Sequence, residues 1–258
     1  MGELMRNKNY GFSLIELMVA LVIGLLITSA LYSLFSGNQK TITLMRVNGQ
    51  IVLDGDKSIN VINNYIQYAG YRDYEQIKNQ QYLPAESVAG VTWSAKQFFR
   101  GNNNLTSSAQ IKSGTDDIFI RYWGSGSTTD DTILNCHGTG VANTIINTVH
   151  IFVDSSNNLN CFDVINNDNT VIASGVENLQ IRYVLKSGTS MIYKEPPLSV
   201  SEYESAVRIE VALVMAANFD NSLSGASNYS IWGTSYAVAT EDSHRLRHVY
   251  TNSILVRN

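Results

Sequence analysis

The stretch Gly11-Phe12-Ser13-Leu14-Ile15-Glu16 opens an apolar run that ends at Phe35. Glu16 is the one charged residue of that run. At roughly 20 residues for one bilayer crossing, the run is long enough to span a membrane as a helix. A charged side chain in such a helix costs about 2.5 to 3.5 kcal/mol on insertion scales, so Glu16 marks a function and implies a partner.

The position of the small residue distinguishes this segment from a secretory signal. Secretory signals carry an apolar core of about 7 to 15 residues followed by a small-residue cleavage site, whereas Gly11 precedes the apolar run. Cleavage after Gly11 removes residues 1–11 and keeps the helix. This leader contains Arg6 and Lys8 against Glu3, and positive charge on the short segment keeps it cytoplasmic. We therefore expect everything after the helix to lie outside the cytoplasm.

The helical pattern continues beyond the apolar run. Small and apolar residues recur at steps of three or four, which places them on one face: Met45, Gly49, Val52, Gly55, Ile59, Ile62, Ile66 and Ala69. The pattern predicts one helix over residues 12–71, with 12–35 in the membrane and the second half packed on its own domain. Gly37, Gly49 and Gly55 each weaken a helix by up to about 1 kcal/mol relative to alanine. Tyr65, Tyr68 and Tyr71 share a face that we expect to contact the domain.

After Gly70 the sequence is typical of strands and turns. Five β-branched or aromatic runs predict strands, at 118–123, 148–153, 179–185, 207–215 and 253–256. Clusters of Asn, Gly, Ser and Asp predict turns between them, at 101–104, 124–131, 166–169 and 218–228. The predicted fold is α+β, a long helix on an antiparallel sheet with a second small sheet, and residues 72–258 form one domain.

The charge balance argues against one class of function. The net charge is −4 at pH 7, and broad capture of nucleic acid depends on Lys and Arg neutralising phosphates. No direct binding of nucleic acid is therefore expected. The chain also contains no Gly-x-Ser-x-Gly elbow, Walker loop or dinucleotide fingerprint, so nothing in it favours an enzyme or a cofactor.

Cys136 and Cys161 are the only cysteines, and both follow the helix. Outside the cytoplasm such a pair favours a disulfide over two free thiols. Closing a loop of about 25 residues stabilises a fold by roughly 3 to 4 kcal/mol in the chain-entropy model. Metal ligation together with His137 and His150 is the alternative, but this spacing matches no standard zinc pattern. We therefore predict a disulfide and no metal.

Two other groups of side chains were weighed as cation sites. The run Asp154-Ser155-Ser156-Asn157-Asn158, with Asp163 and Asp168 downstream, offers oxygen ligands but lacks the glycine and the final acid of an EF-hand loop. A solvated turn is the prediction there. His244 and His248 lie four residues apart, but Arg245 and Arg247 beside them would repel a cation, so we expect surface or strand histidines.

The N-terminal residues resemble the class III signal of type IV pilins and pseudopilins, in which a glycine precedes a phenylalanine and a glutamate stands five residues into the mature chain. The resemblance implies that a prepilin peptidase cuts after Gly11 and that Phe12 becomes the methylated N-terminus. It implies that Glu16 is the assembly glutamate, because a carboxylate can neutralise the terminal ammonium of a neighbouring helix in a low-dielectric setting. An uncleaved single-span anchor is the alternative.

Three downstream segments, 116–122, 175–183 and 247–258, look like the PilW-type minor pilins, a family similar to the J-type minor pseudopilins of type II secretion. The resemblance implies a non-catalytic, low-copy subunit of the complex that primes assembly and sits at the pilus tip. Its expected partners are H-, I- and K-like minor pilins, the major pilin, the prepilin peptidase and a PilY-type tip adhesin. The expected location is the bacterial inner membrane, with the C-terminal domain in the periplasm, and then the pilus tip.

Two alternative functions stay open at this point. A J-like minor pseudopilin of a type II secretion system carries the same N-terminal signal. A module that itself captures DNA or a host surface is the other.

Overall fold

The computed structural model describes residues 13–106, 110–126, 132–217, 228–238 and 245–256. By its internal contacts the chain divides into two compact units, Met1–Val47 and Asn48–Asn258. The boundary between these units lies within the predicted helix and not after it, so the second half of that helix belongs to the globular unit.

Three helices occur among the described residues: α1 (Leu14–Tyr68), α2 (Tyr74–Lys78) and α3 (Val200–Ser205). The long helix that the sequence predicts is thus present. Helix α3 begins with a capping box, in which the Ser199 side chain accepts from the backbone of Glu202 and the Glu202 side chain accepts from the backbone of Ser199. Such a reciprocal pair satisfies two backbone donors that a helix start otherwise leaves open.

The described residues also form thirteen strands. They are β1 (Glu86–Val88), β2 (Val91–Trp93), β3 (Phe99–Asn102), β4 (Asp117–Trp123), β5 (Ile146–Val153), β6 (Asn158–Asp163), β7 (Asp168–Ser174), β8 (Val176–Ser187), β9 (Ser190–Lys194), β10 (Ala206–Ala216), β11 (Tyr229–Ile231), β12 (Thr234–Tyr236) and β13 (Arg247–Leu255).

Two larger antiparallel sheets dominate the globular unit. One is a five-stranded meander in the order β3-β4-β5-β6-β7, and the other has the order β13-β10-β8-β9. Two small hairpins, β1-β2 and β11-β12, complete the described strands. The α+β prediction and its second sheet are confirmed, and that sheet has four strands and includes the longest strands described.

All five runs that the sequence assigns to strands are strands, namely β4, β5, β8, β10 and β13. The prediction of a turn at 101–104 is wrong in part, because Gly101 and Asn102 lie in β3. Glycine is required at position 101: an added Cβ would lie 2.6 Å from the carbonyl oxygen of Asp117 on the neighbouring strand. A glycine inside a strand often marks such a close backbone approach.

The part of α1 within the globular unit buries one stripe of side chains, at Ile51, Gly55, Ser58, Ile62, Tyr65 and Ile66. Gly55 allows the Tyr250 ring of β13 to approach, since a Cβ there would lie 2.3 Å from two ring carbons. The Tyr250 hydroxyl donates to the Ile51 carbonyl oxygen at 3.1 Å. At the end of the helix, Gly70 N donates to Arg121 O at 3.0 Å and so joins the helix end to β4.

Candidate functional site

The apolar part of α1, residues 14–35, contains Glu16, which the sequence predicts to be the assembly residue. Its large side chains are exposed, from Leu14 at 79% to Phe35 at 63%, and α1 is the one described helix long and apolar enough to cross a membrane. One polar side chain there is satisfied internally, because the Thr28 hydroxyl donates to Gly24 O at 2.6 Å. Exposed apolar surface on every side is typical of a helix that is buried in a membrane or among other helices.

Glu16 differs from its surroundings within this segment. It lies in the first turn of the helix, and it is the one charged residue between 14 and 35. Its carboxylate makes no hydrogen bond or ion pair with any residue that the structure describes. In a low-dielectric medium an unpaired carboxylate attracts a positive group far more strongly than it does in water, so the chemistry available here is ion pairing with a cation.

The two residues of the predicted processing site, Gly11 and Phe12, lie outside the described residues. The description begins at Ser13, whose carbonyl oxygen accepts from Glu16 N at 3.0 Å and from Leu17 N at 3.2 Å. Helix α1 begins at Leu14, three residues after Gly11.

Cys136 and Cys161 form a disulfide, with Cα atoms 5.6 Å apart. The bond joins β6 to the segment between β4 and β5. That segment also receives the helix, because the Tyr65 hydroxyl donates to Asn135 O at 2.9 Å. The disulfide thus fixes a surface on which the second half of α1 rests.

The histidines weighed as metal ligands have other partners. His137 Nε2 lies 3.0 Å from Asp168 Oδ2, and His150 Nε2 lies 2.8 Å from Asp117 Oδ2. His248 Nε2 lies 2.7 Å from the Asn48 amide oxygen, whereas His244 lies outside the described residues. No group of three possible metal ligands occurs in the parts of the chain that the structure describes.

The polar stretch 154–158, which begins with Asp154, forms the turn between β5 and β6. Asp154 Oδ1 accepts from Ser156 N at 2.9 Å and from Asn158 N at 2.8 Å. Partial burial acts to raise the pKa of Asp154, but hydrogen bonds from Asn158, Asn160 and Ser156 outweigh it and hold the pKa below its ordinary value. Asn157 adopts a φ of 63°, a conformation that asparagine tolerates in turns. The carboxylate here organises a turn.

The neighbouring carboxylates of Asp116 and Asp117 join the two larger sheets, and the sequence gives no sign of this role. The Asp116 carboxylate accepts from Asn104 N at 2.8 Å and from Ile181 N of β8 at 2.7 Å. Asp117 accepts from Asn102 N at 2.8 Å. Burial raises the pKa of Asp116 to about 6, against the opposing effect of the two backbone hydrogen bonds. Backbone donors from both sheets therefore converge on neighbouring acids.

Arg121 of β4 is another buried charged residue whose role the sequence does not reveal. Its side chain is fully buried, and Nη1 donates to Glu86 Oε1 at 2.7 Å. Nη2 donates to Gln97 O at 2.9 Å, and the guanidinium lies 4.7 Å from the Trp93 ring centroid. Burial lowers the pKa of Arg121 against the opposing effect of the Glu86 carboxylate. The arrangement fastens the β1-β2 hairpin to the five-stranded sheet.

Comparison with known families gives two matches, one near each end of the chain. Residues 6–32 match the prokaryotic N-terminal methylation motif. Residues 153–258 match the family described as Type IV Pilus-assembly protein W. The second match includes two of the three segments that resemble PilW-type pilins, 175–183 and 247–258, and excludes 116–122.

Comparison with individual proteins adds less. No curated protein matches the chain. Among solved structures it is similar to a type IV-like pilin from Thermus thermophilus, at 10% identity and a TM-score of 0.45, over 80% of this chain and 94% of that one.

The methylation motif ahead of a long apolar helix makes the first part of this chain similar to type IV pilin-like proteins. Over its C-terminal part, residues 153–258, the chain is similar to the PilW family of pilus-assembly proteins. The apolar helix with its prepilin motif fits anchoring in the inner membrane.

Proposed function

We propose that this protein is a low-copy structural subunit of the tip and initiation complex of a type IV pilus, where it primes pilus assembly and helps to display a tip adhesin. The observation that carries the proposal is Glu16, a carboxylate without a described partner in an exposed apolar helix. The methylation motif and the match to the pilus-assembly family support it at the two ends of the chain.

In this proposal the prepilin peptidase removes residues 1–11 after Gly11 and the new N-terminus, Phe12, is methylated. The terminal ammonium and the Glu16 carboxylate of adjacent subunits then pair within the membrane or the filament core. Residues 12–35 serve first as the membrane anchor and later as part of that core. Residues 72–258 form the periplasmic domain, which reaches the cell surface at the pilus tip.

The proposed partners are H-, I- and K-like minor pilins, the major pilin and a PilY-type adhesin. The chain contributes binding surfaces to this complex and no chemistry, cofactor or metal of its own. The net charge of −4 provides no general attraction for phosphates. It therefore supports a protein partner over nucleic acid.

The direct test is a pull-down of tagged full-length protein from crosslinked cells, analysed by mass spectrometry that also reports the N-terminal peptide of the bait. We expect methylated Phe12, together with other minor pilins and the major pilin. Methylated Phe12 with secretion-system pseudopilins would instead identify a J-like pseudopilin, since the two classes share the N-terminal signal. An intact leader with neither set of partners would reduce the motif to a simple membrane anchor.

A deletion strain separates the same two functions in the cell. Loss of the protein should reduce surface pili while synthesis of the major pilin continues. Retained pili with failed release of exoproteins would favour the secretion system. Unchanged piliation and unchanged secretion would count against both.

A further inference from the structure

An open cleft of about 430 Å³ lies on the five-stranded sheet. The register pairs Phe119 with His150, His150 with Phe162 and Phe162 with Asn169 across four adjacent strands. These four side chains occupy the face opposite the core, because the alternate residues of β4 and β5, such as Ile118 and Ile151, are fully buried. The volume falls within the range of small-molecule sites, about 300 to 1,000 Å³.

Aromatic rings line part of this cleft: His150, Phe152 and Phe162. The His150 ring lies 4.7 Å from the Phe152 ring and stacks on Phe119 with centroids 3.8 Å apart and planes 7° apart. The contact of 2.8 Å between His150 Nε2 and Asp117 Oδ2 holds this histidine from one ring nitrogen. The rings therefore form a fixed apolar floor whose faces carry partial negative charge.

Polar groups with unused hydrogen-bonding capacity surround the floor. Gln110, Ser155 and Asn169 line the cleft. The Asn169 amide nitrogen donates to Asn160 Oδ1 at 2.8 Å, which leaves the Asn169 amide oxygen available as an acceptor. The side chains of Gln110 and Ser155 make no hydrogen bond to any residue within the described ranges. Together these groups offer both donors and acceptors to a ligand.

The charges of the lining narrow the ligand class. No lysine or arginine occurs among the described residues that line the cleft, so an anionic ligand would have no fixed positive partner. The single carboxylate, Asp154, already accepts hydrogen bonds from Ser156 and Asn158. A second cleft differs in this respect, because Arg72 and Lys96 line it. Both of these cations lie within 5.0 Å of the Tyr82 ring centroid.

We propose that the cleft on the five-stranded sheet binds a neutral saccharide. The C–H face of a pyranose ring, with its partial positive charge, would stack on Phe152 and Phe162. The sugar hydroxyl groups, which both donate and accept, would bond Gln110, Ser155 and Asn169. The proposal goes beyond the assembly function and does not depend on it, because the cleft lies wholly within the globular unit.

The test uses the full chain in a detergent without a sugar head group, since an alkyl glycoside would compete for the cleft. Saturation-transfer NMR with the methyl glycosides of glucose, galactose, mannose and N-acetylglucosamine provides the probes. We expect transfer to the ring protons of at least one of these glycosides. Transfer strongest at the C–H groups of one face of the sugar would match stacking on the aromatic floor.

Three variants locate the binding. Phe162→Leu keeps an apolar side chain and removes the ring, and it should weaken binding up to about tenfold. Asn169→Ala removes an acceptor from an exposed position, and it should weaken binding about fivefold. Val171→Ala is the matched control, because Val171 is 51% exposed on the same strand and does not line the cleft. This control should bind as the wild type does.

Losses in Phe162→Leu and Asn169→Ala with none in Val171→Ala would establish the site. Equal binding by all four proteins, or transfer to none of the four glycosides, would overturn the proposal. Transfer to choline and to no glycoside would also overturn it, because it would assign the aromatic floor to a cation. The assembly function is measured separately by pilus incorporation of the same variants, so failure of either proposal leaves the other testable.

Discussion

Residues 14–35 and residues 48–68 belong to one helix, α1, but differ in how they bury apolar side chains. The first segment exposes large side chains all around. The second buries one stripe, from Ile51 to Ile66, and exposes the opposite face, where Leu53 is 68% exposed. A stripe indicates a helix whose packing partner is its own domain, and an all-round apolar surface indicates a partner outside the chain. The two segments should therefore respond to different mutations.

Glu16→Val tests the first segment and should have the largest effect on pilus assembly. The variant should remain inserted in the membrane, because valine favours the bilayer, but its incorporation into pili should fall about tenfold or more. A tenfold loss corresponds to about 1.4 kcal/mol, less than one strong ion pair provides in a low-dielectric medium. Immunoblots of sheared pili and membrane fractions measure both quantities.

Leu17→Val is the control for that experiment, because it changes an adjacent exposed side chain without changing charge. It should be incorporated normally. Normal incorporation of Glu16→Val would remove the assembly role from the carboxylate. Loss of the Glu16→Val protein from the membrane would move the effect to insertion.

The disulfide tests the second segment. Replacing both Cys136 and Cys161 by alanine should lower the free energy of unfolding by about 3 to 4 kcal/mol, because a closed loop then regains its entropy in the unfolded chain. Urea unfolding of the full chain in detergent, followed by tryptophan fluorescence, measures the change. Membrane insertion of residues 14–35 should be unaffected.

Reduction of the wild-type protein is the matched control for the cysteine variant. With dithiothreitol its unfolding midpoint should approach that of the double variant. The midpoint of the double variant itself should not change when the reductant is added. A wild-type midpoint that does not move on full reduction would contradict the stabilising role of the bond.

The raised pKa of Asp116 predicts how the free energy of unfolding of the globular unit depends on pH. Burial raises its pKa from 3.8 to about 6 in the folded protein, so between these values the folded state binds more protons than the unfolded state. The contribution of Asp116 is therefore full below pH 3.8 and is lost as pH rises through 6. Asp116→Asn should remove this dependence, on the order of 1 to 3 kcal/mol.

Urea midpoints at several values between pH 4 and pH 7.5 measure that dependence. Asp56→Asn, at an exposed position of α1, removes the same charge and should keep the wild-type slope. A slope that Asp116→Asn leaves unchanged would show that another group causes it. The hydrogen bonds to Asn104 and Ile181 make Asp116→Asn less stable at every pH, so the slope is the informative quantity.

The sequence predicts the features that depend on local pattern. The helix follows from its repeats of three and four, and β4, β5, β8, β10 and β13 follow from β-branched and aromatic runs. The sequence pattern does not predict strands β6 and β7, because asparagine and aspartate usually indicate turns. Here the Asn169 side chain bonds Asn160 across the two strands at 2.8 Å, which compensates for the low strand preference.

Contacts between distant residues account for the rest of what the sequence does not reveal. Arg121 lies in a predicted strand, but its partner Glu86 is 35 residues away. In the sequence, Asp116 and Asp117 resemble a turn signal. In the structure, backbone N–H groups from the two sheets donate to their carboxylates. The first segment is different, because Glu16 stands out against apolar neighbours in the sequence itself. A charged residue among local apolar neighbours can therefore be identified in the sequence, whereas a cluster built from several strands cannot.

The glycines of α1 give the smallest and most discriminating effects. An added Cβ meets nothing within 4 Å at Gly49 but would lie 2.3 Å from the Tyr250 ring at Gly55. Gly49→Ala should therefore raise the free energy of unfolding by up to about 1 kcal/mol, from helix preference alone. Gly55→Ala gains the same preference but displaces Tyr250, which costs about 1 to 3 kcal/mol, so we expect a net loss of about 1 kcal/mol.

A double-mutant cycle decides whether Tyr250 is the cause. In the Tyr250→Ala background the ring is absent, so Gly55→Ala should become stabilising, as Gly49→Ala is. A sign reversal of this kind, read from urea midpoints, isolates the contact between the two residues from the helix preference. If Gly55→Ala stays destabilising without the ring, the buried stripe of residues 48–68 is held by contacts other than Tyr250.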